Sequence, residues 1–199
     1  MDSRKWTWGL ELVSIIIELD TPRLRMRQWR ESDREPYAAM NSDPVVMEFF
    51  PSLQDRVVSY ASIDRWQAEM ATQGWSNWAV ELRDSGEFIG FIGLSVPRGA
   101  LPFSPCVEVG WRLARNFWGK GFATEGARAA LKVGFERLSL PAIVSFTTVG
   151  NLRSRAVMKR LGMVNTKQDF EHPGVPEGHA LRQHCLYRIT HAQWRRNAA

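Results

Sequence analysis

Between Val107 and Met163 the chain sets out a strand, a glycine turn, a helix, a second strand and a second short helix, in that order. In Val107-Glu-Val-Gly-Trp-Arg-Leu113, residues Val107, Val109, Trp111 and Leu113 share one face at strand period. The run Arg115-Asn-Phe-Trp-Gly-Lys-Gly-Phe-Ala-Thr-Glu-Gly126 follows. After it, Ala123, Ala127, Ala130, Leu131, Gly134, Phe135 and Leu138 fall on one helical stripe, while Arg128, Lys132 and Glu136 face outward. A strand that passes through Gly-x-Gly into a helix builds an anion site. The glycines let successive N–H groups converge, and the helix N-terminus adds its dipole. The chemistry that fits is a pyrophosphate cradle, and the competing reading is a plain strand-to-helix turn.

The cradle is not a Walker loop, because no Gly-Lys-Ser/Thr stands at the required spacing. It also lacks the third glycine of a dinucleotide-binding fingerprint, and its strand is amphipathic rather than wholly apolar. The second half of the stretch narrows the reading. A strand over Ala142–Thr148 runs to Gly150, and a short helix follows from Asn151 to Leu161, with Asn151 placed to cap it and Gly162 to end it.

Together, Trp111-Arg-Leu-Ala with Trp118-Gly-Lys-Gly-Phe-Ala-Thr-Glu-Gly126, and Asn151 with Ser154-Arg-Ala-Val-Met-Lys-Arg-Leu-Gly-Met163, resemble the GNAT superfamily of acetyl-CoA-dependent N-acetyltransferases. Within it the chain is most similar to the Rim-type branch, which acetylates N-terminal amines of ribosomal proteins. The resemblance runs from about Thr21 to Trp194 and implies an α+β fold. Its sheet would be mixed but mostly antiparallel and flanked by helices, with the fourth and fifth strands splayed to admit the cofactor. Two positions depart from the family pattern. Asn116 stands where Gln or Arg opens the glycine motif, and Met158 stands where a tyrosine often donates the final proton.

By resemblance, Trp111, Arg112 and Leu113 offer strand backbone to the pantetheine arm of acetyl-CoA. Trp118, Gly119, Lys120, Gly121, Phe122, Ala123 and Thr124 surround its pyrophosphate. Asn151 matches the family's cofactor-contacting asparagine, although a plain helix N-cap accounts for it equally well. For proton chemistry the catalytic candidates are Glu108 and Ser154. Glu108, opposite Val107 and Val109 on its strand, can take the amine proton directly or through water; the competing reading is an exposed or paired sheet carboxylate. Ser154, on the first turn of its helix, can donate to the departing thiolate or satisfy a helix-start N–H. An α-amine, with a pKa near about 7.7–8, is an easier acceptor at neutral pH than a lysine near about 10.4.

Upstream, residues 1–20 read as an extension, with Leu12–Ile17 as a candidate edge strand. Residues 21–194 form one domain, and 195–199 a tail. The first strand is expected over Arg23–Trp29, with Leu24, Met26 and Gln28 on one face and Arg23, Arg25 and Arg27 on the other. A helix starting at Ser32-Asp33 presents Tyr37 and Met40 to the core. A second spans about Arg56–Gln73. Between them, Met47, Phe49, Phe50 and Pro51 either line the acceptor mouth or pack the helices down. Ser76–Leu82 and Phe88–Val96 form a hairpin about Asp84-Ser-Gly86. A strand over Met163–Phe170, a loop over His172–Gly178 and a last strand over Arg182–Ile189 complete the chain.

The 199 residues carry a net charge of +5, with basic residues scattered rather than clustered, which disfavours a nucleic-acid partner. No run of about 20 apolar residues provides a membrane helix. Without a cleavable leader the expectation is a cytoplasmic protein, with Cys106 and Cys185 reduced. His172, His179, His184 and His191 match no metal-ligand spacing, so no metal is expected. The expected function is acetyl transfer from acetyl-CoA to a primary amine, whether on a small molecule or a protein N-terminus. The alternative is a non-catalytic acyl-CoA-binding regulatory domain on the same fold. A homodimer is left open.

Overall fold

The computed structural model describes residues 15–198. Its elements are β1 (Leu19–Asp20), β2 (Leu24–Arg27), α1 (Arg34–Ser42), α2 (Arg56–Gln73), β3 (Asn77–Leu82), β4 (Phe88–Ser95), β5 (Glu108–Leu113), α3 (Phe122–Lys132), β6 (Ala142–Thr148), α4 (Leu152–Arg160), β7 (Val164–Asn165), β8 (Phe170–Glu171), β9 (Gln183–Thr190) and α5 (His191–Ala198). One sheet runs β1-β2-β3-β4-β5-β6-β9-β7, with β8 also on β9. Every pairing is antiparallel except β5 with β6, which is parallel and reduced to the single step Glu108↔Val144. These two are the fourth and fifth strands expected from the sequence, renumbered by the added β1. They part beyond that step.

Helices cover both faces of the sheet. Gly126 lets α3 lie close on one face, since a Cβ there would come within 2.4 Å of Ile92 Cδ1 and 3.4 Å of Leu24 and Met26. On the other face Trp29, Tyr37, Trp66 and Phe91 interlock, with ring centroids 4.8–6.1 Å apart, and hold α1 and α2 down. Asp55 caps α2 by accepting from Val58 N–H at 2.8 Å.

Four boundaries differ from the expectations. Arg27 is buried at 3% exposure, while Gln28 is exposed and Trp29 is buried. The strand ends at Arg27, and the turn at Glu31–Asp33 folds back to give that guanidinium Asp33 at 2.7 Å, with Glu81 at 2.5 Å from β3. The expected strand over Met163–Phe170 is two short pieces. Between them Asn165 Oδ1 accepts from Lys167 N–H at 2.7 Å, and Lys167 takes a positive φ of 58°, which turns the chain out of the sheet.

The chain pairs into the sheet before Thr21, because Leu19 and Asp20 lie against Met26 and Arg25. Of the candidate edge strand, Leu12–Ser14 lie outside the described residues. Ile15–Ile17 are not strand, although Ile17 N–H donates to the Gly74 carbonyl at 2.8 Å. Residues 195–198, expected as tail, belong to α5. Thr190 and Gln193 cap that helix reciprocally, and Trp194 stacks on Phe135 at 5.6 Å.

Candidate active site

Where β5 and β6 separate, a cleft of about 1910 Å³ opens through the molecule. Pockets for a single small molecule run to about 1,000 Å³, so this one has room for two ligands. One side of it is built on β5 and the start of α3. Ala114 N–H donates to the Ile89 carbonyl, so by the alternation of an antiparallel ladder Arg112 spends its backbone on β4. The backbone groups of Val109, Trp111 and Leu113 point the other way, into the wedge. Trp111 and Leu113 lie beyond the last paired step, and the Leu113 carbonyl is taken by Trp118 Nε1–H at 2.7 Å. The expectation that Arg112 offers backbone to the pantetheine arm is therefore corrected: Arg112 reaches the cleft through its side chain.

At the glycine turn, Gly119 and Gly121 have φ of 74° and 83°, and Gly121 is the N-cap of α3. Glu125 N–H is the first to bond back into the helix, to Gly121 O at 3.0 Å. The amides of Phe122, Ala123 and Thr124 precede that bond and face the helix end, where an anion would sit. An acidic side chain in this first turn would repel a phosphate were it free. Instead Glu125 accepts from Thr21 Oγ1 at 2.7 Å, Arg23 N at 2.9 Å and Arg23 Nε at 2.6 Å. Burial alone would raise its pKa, but these bonds and the Arg23 charge hold the carboxyl below its ordinary range. Arg23 also donates to the Lys120 carbonyl at 3.0 Å and lies over the Phe122 ring at 4.6 Å, so the same side chain braces the turn. This clamp was missed in the sequence. Its signal was there: a glutamate four residues after the last glycine of an anion cradle needs a cation.

Glu108 stands at the apex of the wedge, on the last paired step of β5 with β6. Its carboxyl forms no hydrogen bond or ion pair among the described residues, and burial pushes its pKa up to about 8. The reading of Glu108 as a paired sheet carboxylate does not hold. On α4, Asn151 Oδ1 accepts from Ser154 N–H at 3.1 Å and its amide donates to Thr147 Oγ1 at 3.0 Å, so Asn151 is an N-cap that also lines the cleft. The Ser154 hydroxyl makes no bond to a helix-start N–H, and the residue lines the cleft. Met158 is buried at 1% exposure and places no hydroxyl there.

The other side of the cleft lies on the face carrying α1 and α2. Met47 is buried, whereas Phe49 and Phe50 line the cleft, so the linkage both packs the helices down and contributes to the cleft wall. Arg112 Nη1 donates to Asn41 Oδ1 at 2.7 Å, and the guanidinium lies over Phe50 at 4.0 Å. His172 and His184 lie on the cleft wall with Phe146, their rings 4.8 Å apart and tilted by 40°, and Phe170 packs behind them. Burial lowers the pKa of both, aided at His172 by its neighbour His184. Burial raises the thiols of Cys106 and Cys185, which is the opposite of an activated thiolate. No helix among the described residues is long and apolar enough to cross a membrane.

Residues 23–164 match the family model described as an acetyltransferase (GNAT) domain. The chain is 32% identical over 193 residues to the FsC-acetyl coenzyme A-N(2)-transacetylase of Aspergillus fumigatus, covering 89% of this chain and 78% of that protein. It superposes on a GNAT-family acetyltransferase from Bacillus anthracis with a TM-score of 0.72 at 24% identity, over 88% of this chain and 99% of the other. An acetyltransferase from Agrobacterium tumefaciens gives a TM-score of 0.69 at 28% identity, over 87% and 94%. With the sheet parted between β5 and β6 and the glycine turn opening α3, this chain belongs to the GNAT acetyltransferase family and is an acyltransferase.

Proposed function

We propose that the chain transfers an acetyl group from acetyl-CoA to a primary amine by direct attack on the thioester. The observation that carries this reading is Glu108: an unpaired carboxyl with a pKa near that of an α-amine, at the apex of a wedge sized for cofactor and acceptor together. Burial makes Glu108 a stronger base than an exposed carboxylate and leaves it ionised in part at neutral pH.

The amides of Phe122–Thr124 and the glycine turn would hold the pyrophosphate through their backbone N–H groups, with Lys120 adding charge. Backbone groups of Trp111 and Leu113 would hold the pantetheine arm. The amine nitrogen then attacks the carbonyl carbon as Glu108 takes its proton, and the C–S bond breaks. The thiolate leaves with a proton from Ser154 Oγ or from water, the serine is reprotonated from solvent, and Glu108 gives the amine proton up to solvent. Holding the two reactants together supplies much of the rate, up to about 7–11 kcal/mol at best.

Within the family we place the chain in the Rim-type branch, on the runs Trp111–Gly126 and Asn151–Met163. The Aspergillus fumigatus relative carries acetyl coenzyme A and a nitrogen position in its name, which supports nitrogen as the acceptor atom. The test is release of free coenzyme A from acetyl-CoA with a panel of peptide N-termini, polyamines and small amines, with the acetylated product identified by mass. Release with at least one amine class is expected. Tight acetyl-CoA binding without release from any of them would favour the non-catalytic, acyl-CoA-binding reading.

A further inference from the structure

Two arginines on the α1/α2 side of this sheet, Arg27 buried and Arg112 half-buried with its Nε enclosed, are treated differently by the fold. Arg27 receives two carboxylates, Asp33 at 2.7 Å and Glu81 at 2.5 Å. Arg112 receives none among the described residues. Its Nη1 has only neutral partners, Asn41 Oδ1 at 2.7 Å and Gln54 Oε1 at 3.4 Å. Its Nε is buried without any partner, and no hydrogen bond is made by Nη2. Aromatic faces complete the surroundings, Phe50 at 4.0 Å and Phe91 at 5.6 Å from the guanidinium carbon.

A guanidinium stays charged at any working pH, so enclosing its Nε–H away from water with no acceptor is costly. Stacking on rings offsets part of that cost but leaves the fork of N–H donors open. That fork matches a carboxylate in the plane of the guanidinium. Arg112 shares its strand face with Gly110 and Glu108, opposite Phe91, Gly93 and Ser95 of β4. All three therefore look toward the acceptor side, with Arg112 under the loop that carries Phe50.

We propose that Arg112 receives a carboxylate on the acceptor, so that the substrate is an amine bearing an acidic group at its far end. The inference rests on the acetyl-transfer reading above and names the acceptor class for it. Glu108 and Arg112 are four residues apart on one strand, about 13 Å between Cα atoms. The amine at Glu108 and the carboxylate at Arg112 thus belong to opposite ends of an extended molecule, as in an ω-amino acid.

The experiment compares kcat/KM for ω-amino acids of increasing chain length with their primary amides, in the wild type, Arg112→Gln and Arg112→Lys. The expected result is a wild-type preference for acid over amide of about tenfold or more, the scale of one hydrogen-bonded charge pair. The acid-to-amide ratio should fall toward one in Arg112→Gln and partway in Arg112→Lys, which keeps the charge and loses the fork. If Arg112→Gln does not fold, as read by its melting transition, the partial fall in Arg112→Lys carries the test. Equal rates for acid and amide in the wild type would overturn the assignment and leave acetyl transfer standing. So would a variant that slows both acceptors equally, which would make Arg112 a strut for Asn41. Absence of coenzyme A release with any amine would overturn both readings.

Discussion

Glu108 and Ser154 divide the proton work, and their surroundings set what each substitution should do. Because burial raises Glu108 from an ordinary carboxylate value to about 8, the wild-type kcat/KM should climb with pH and level off above about 8. Glu108→Gln should lower kcat/KM by roughly 10²-fold near pH 8, with the gap narrowing at higher pH as the amine deprotonates unaided. Steady-state rates across pH check this; a variant as fast as the wild type throughout would leave Glu108 a bystander. The same residue has a stability signature. Its folded pKa lies above its unfolded one, so the folded state binds more protons between about 4.5 and 8. Stability therefore falls as pH rises through that window, and above it Glu108→Gln should melt higher than the wild type. At Ser154 the hydroxyl makes no bond within the helix start, so Ser154→Ala should slow kcat about tenfold without lowering the melting temperature. A drop of several degrees with normal kinetics would reverse that assignment. Neither the raised pKa of Glu108 nor the bareness of Arg112 was legible in the sequence, since both depend on which groups from α1, α2 and β6 come near.

Among the elements, the glycine turn with α3 was the most legible, because periodicity, glycine spacing and the first-turn residues all pointed to one structure. Gly121→Val would force a β-branched residue to a φ of 83° and set its side chain against Arg23 Nη2, 3.4 Å from the ideal Cβ. Acetyl-CoA affinity should fall by about tenfold or more as the amide cradle distorts, while the circular dichroism of the fold is kept. Unchanged affinity by calorimetry in the folded variant would remove the pyrophosphate from this turn. Asn151 illustrates the limit of reading single residues. Its cap geometry is met by Ser154 N–H and Thr147, so Asn151→Ala should cost about 1 kcal/mol of stability, and any further loss would appear as a raised KM for acetyl-CoA. Short elements were the least legible. The strand expected over Met163–Phe170 is broken by an asparagine turn, and α5 was missed although Thr190-His-Ala-Gln193 spells a capping box.

Across the whole molecule, the order of strands and helices was enough to lay out an α+β sheet, and the family resemblance to say which two strands part. What the order could not give was the charge accounting at the sheet's other end. There Arg27, Asp33 and Glu81 form a buried cluster that ties β2 to β3 and to the turn before α1. Arg27→Met should destabilise the fold by about 3–5 kcal/mol, because it strands two buried carboxylates, and denaturant unfolding would read the loss. The wedge, the cradle and the acceptor wall meet at one point, and the most direct test of that arrangement is a crystal structure of the protein with coenzyme A. The account predicts the pyrophosphate within hydrogen-bond reach of the Gly119–Thr124 amides, the pantetheine arm along Trp111 and Leu113, and the thiol between Glu108 and Ser154. Coenzyme A bound elsewhere, or with its thiol remote from both side chains, would contradict it.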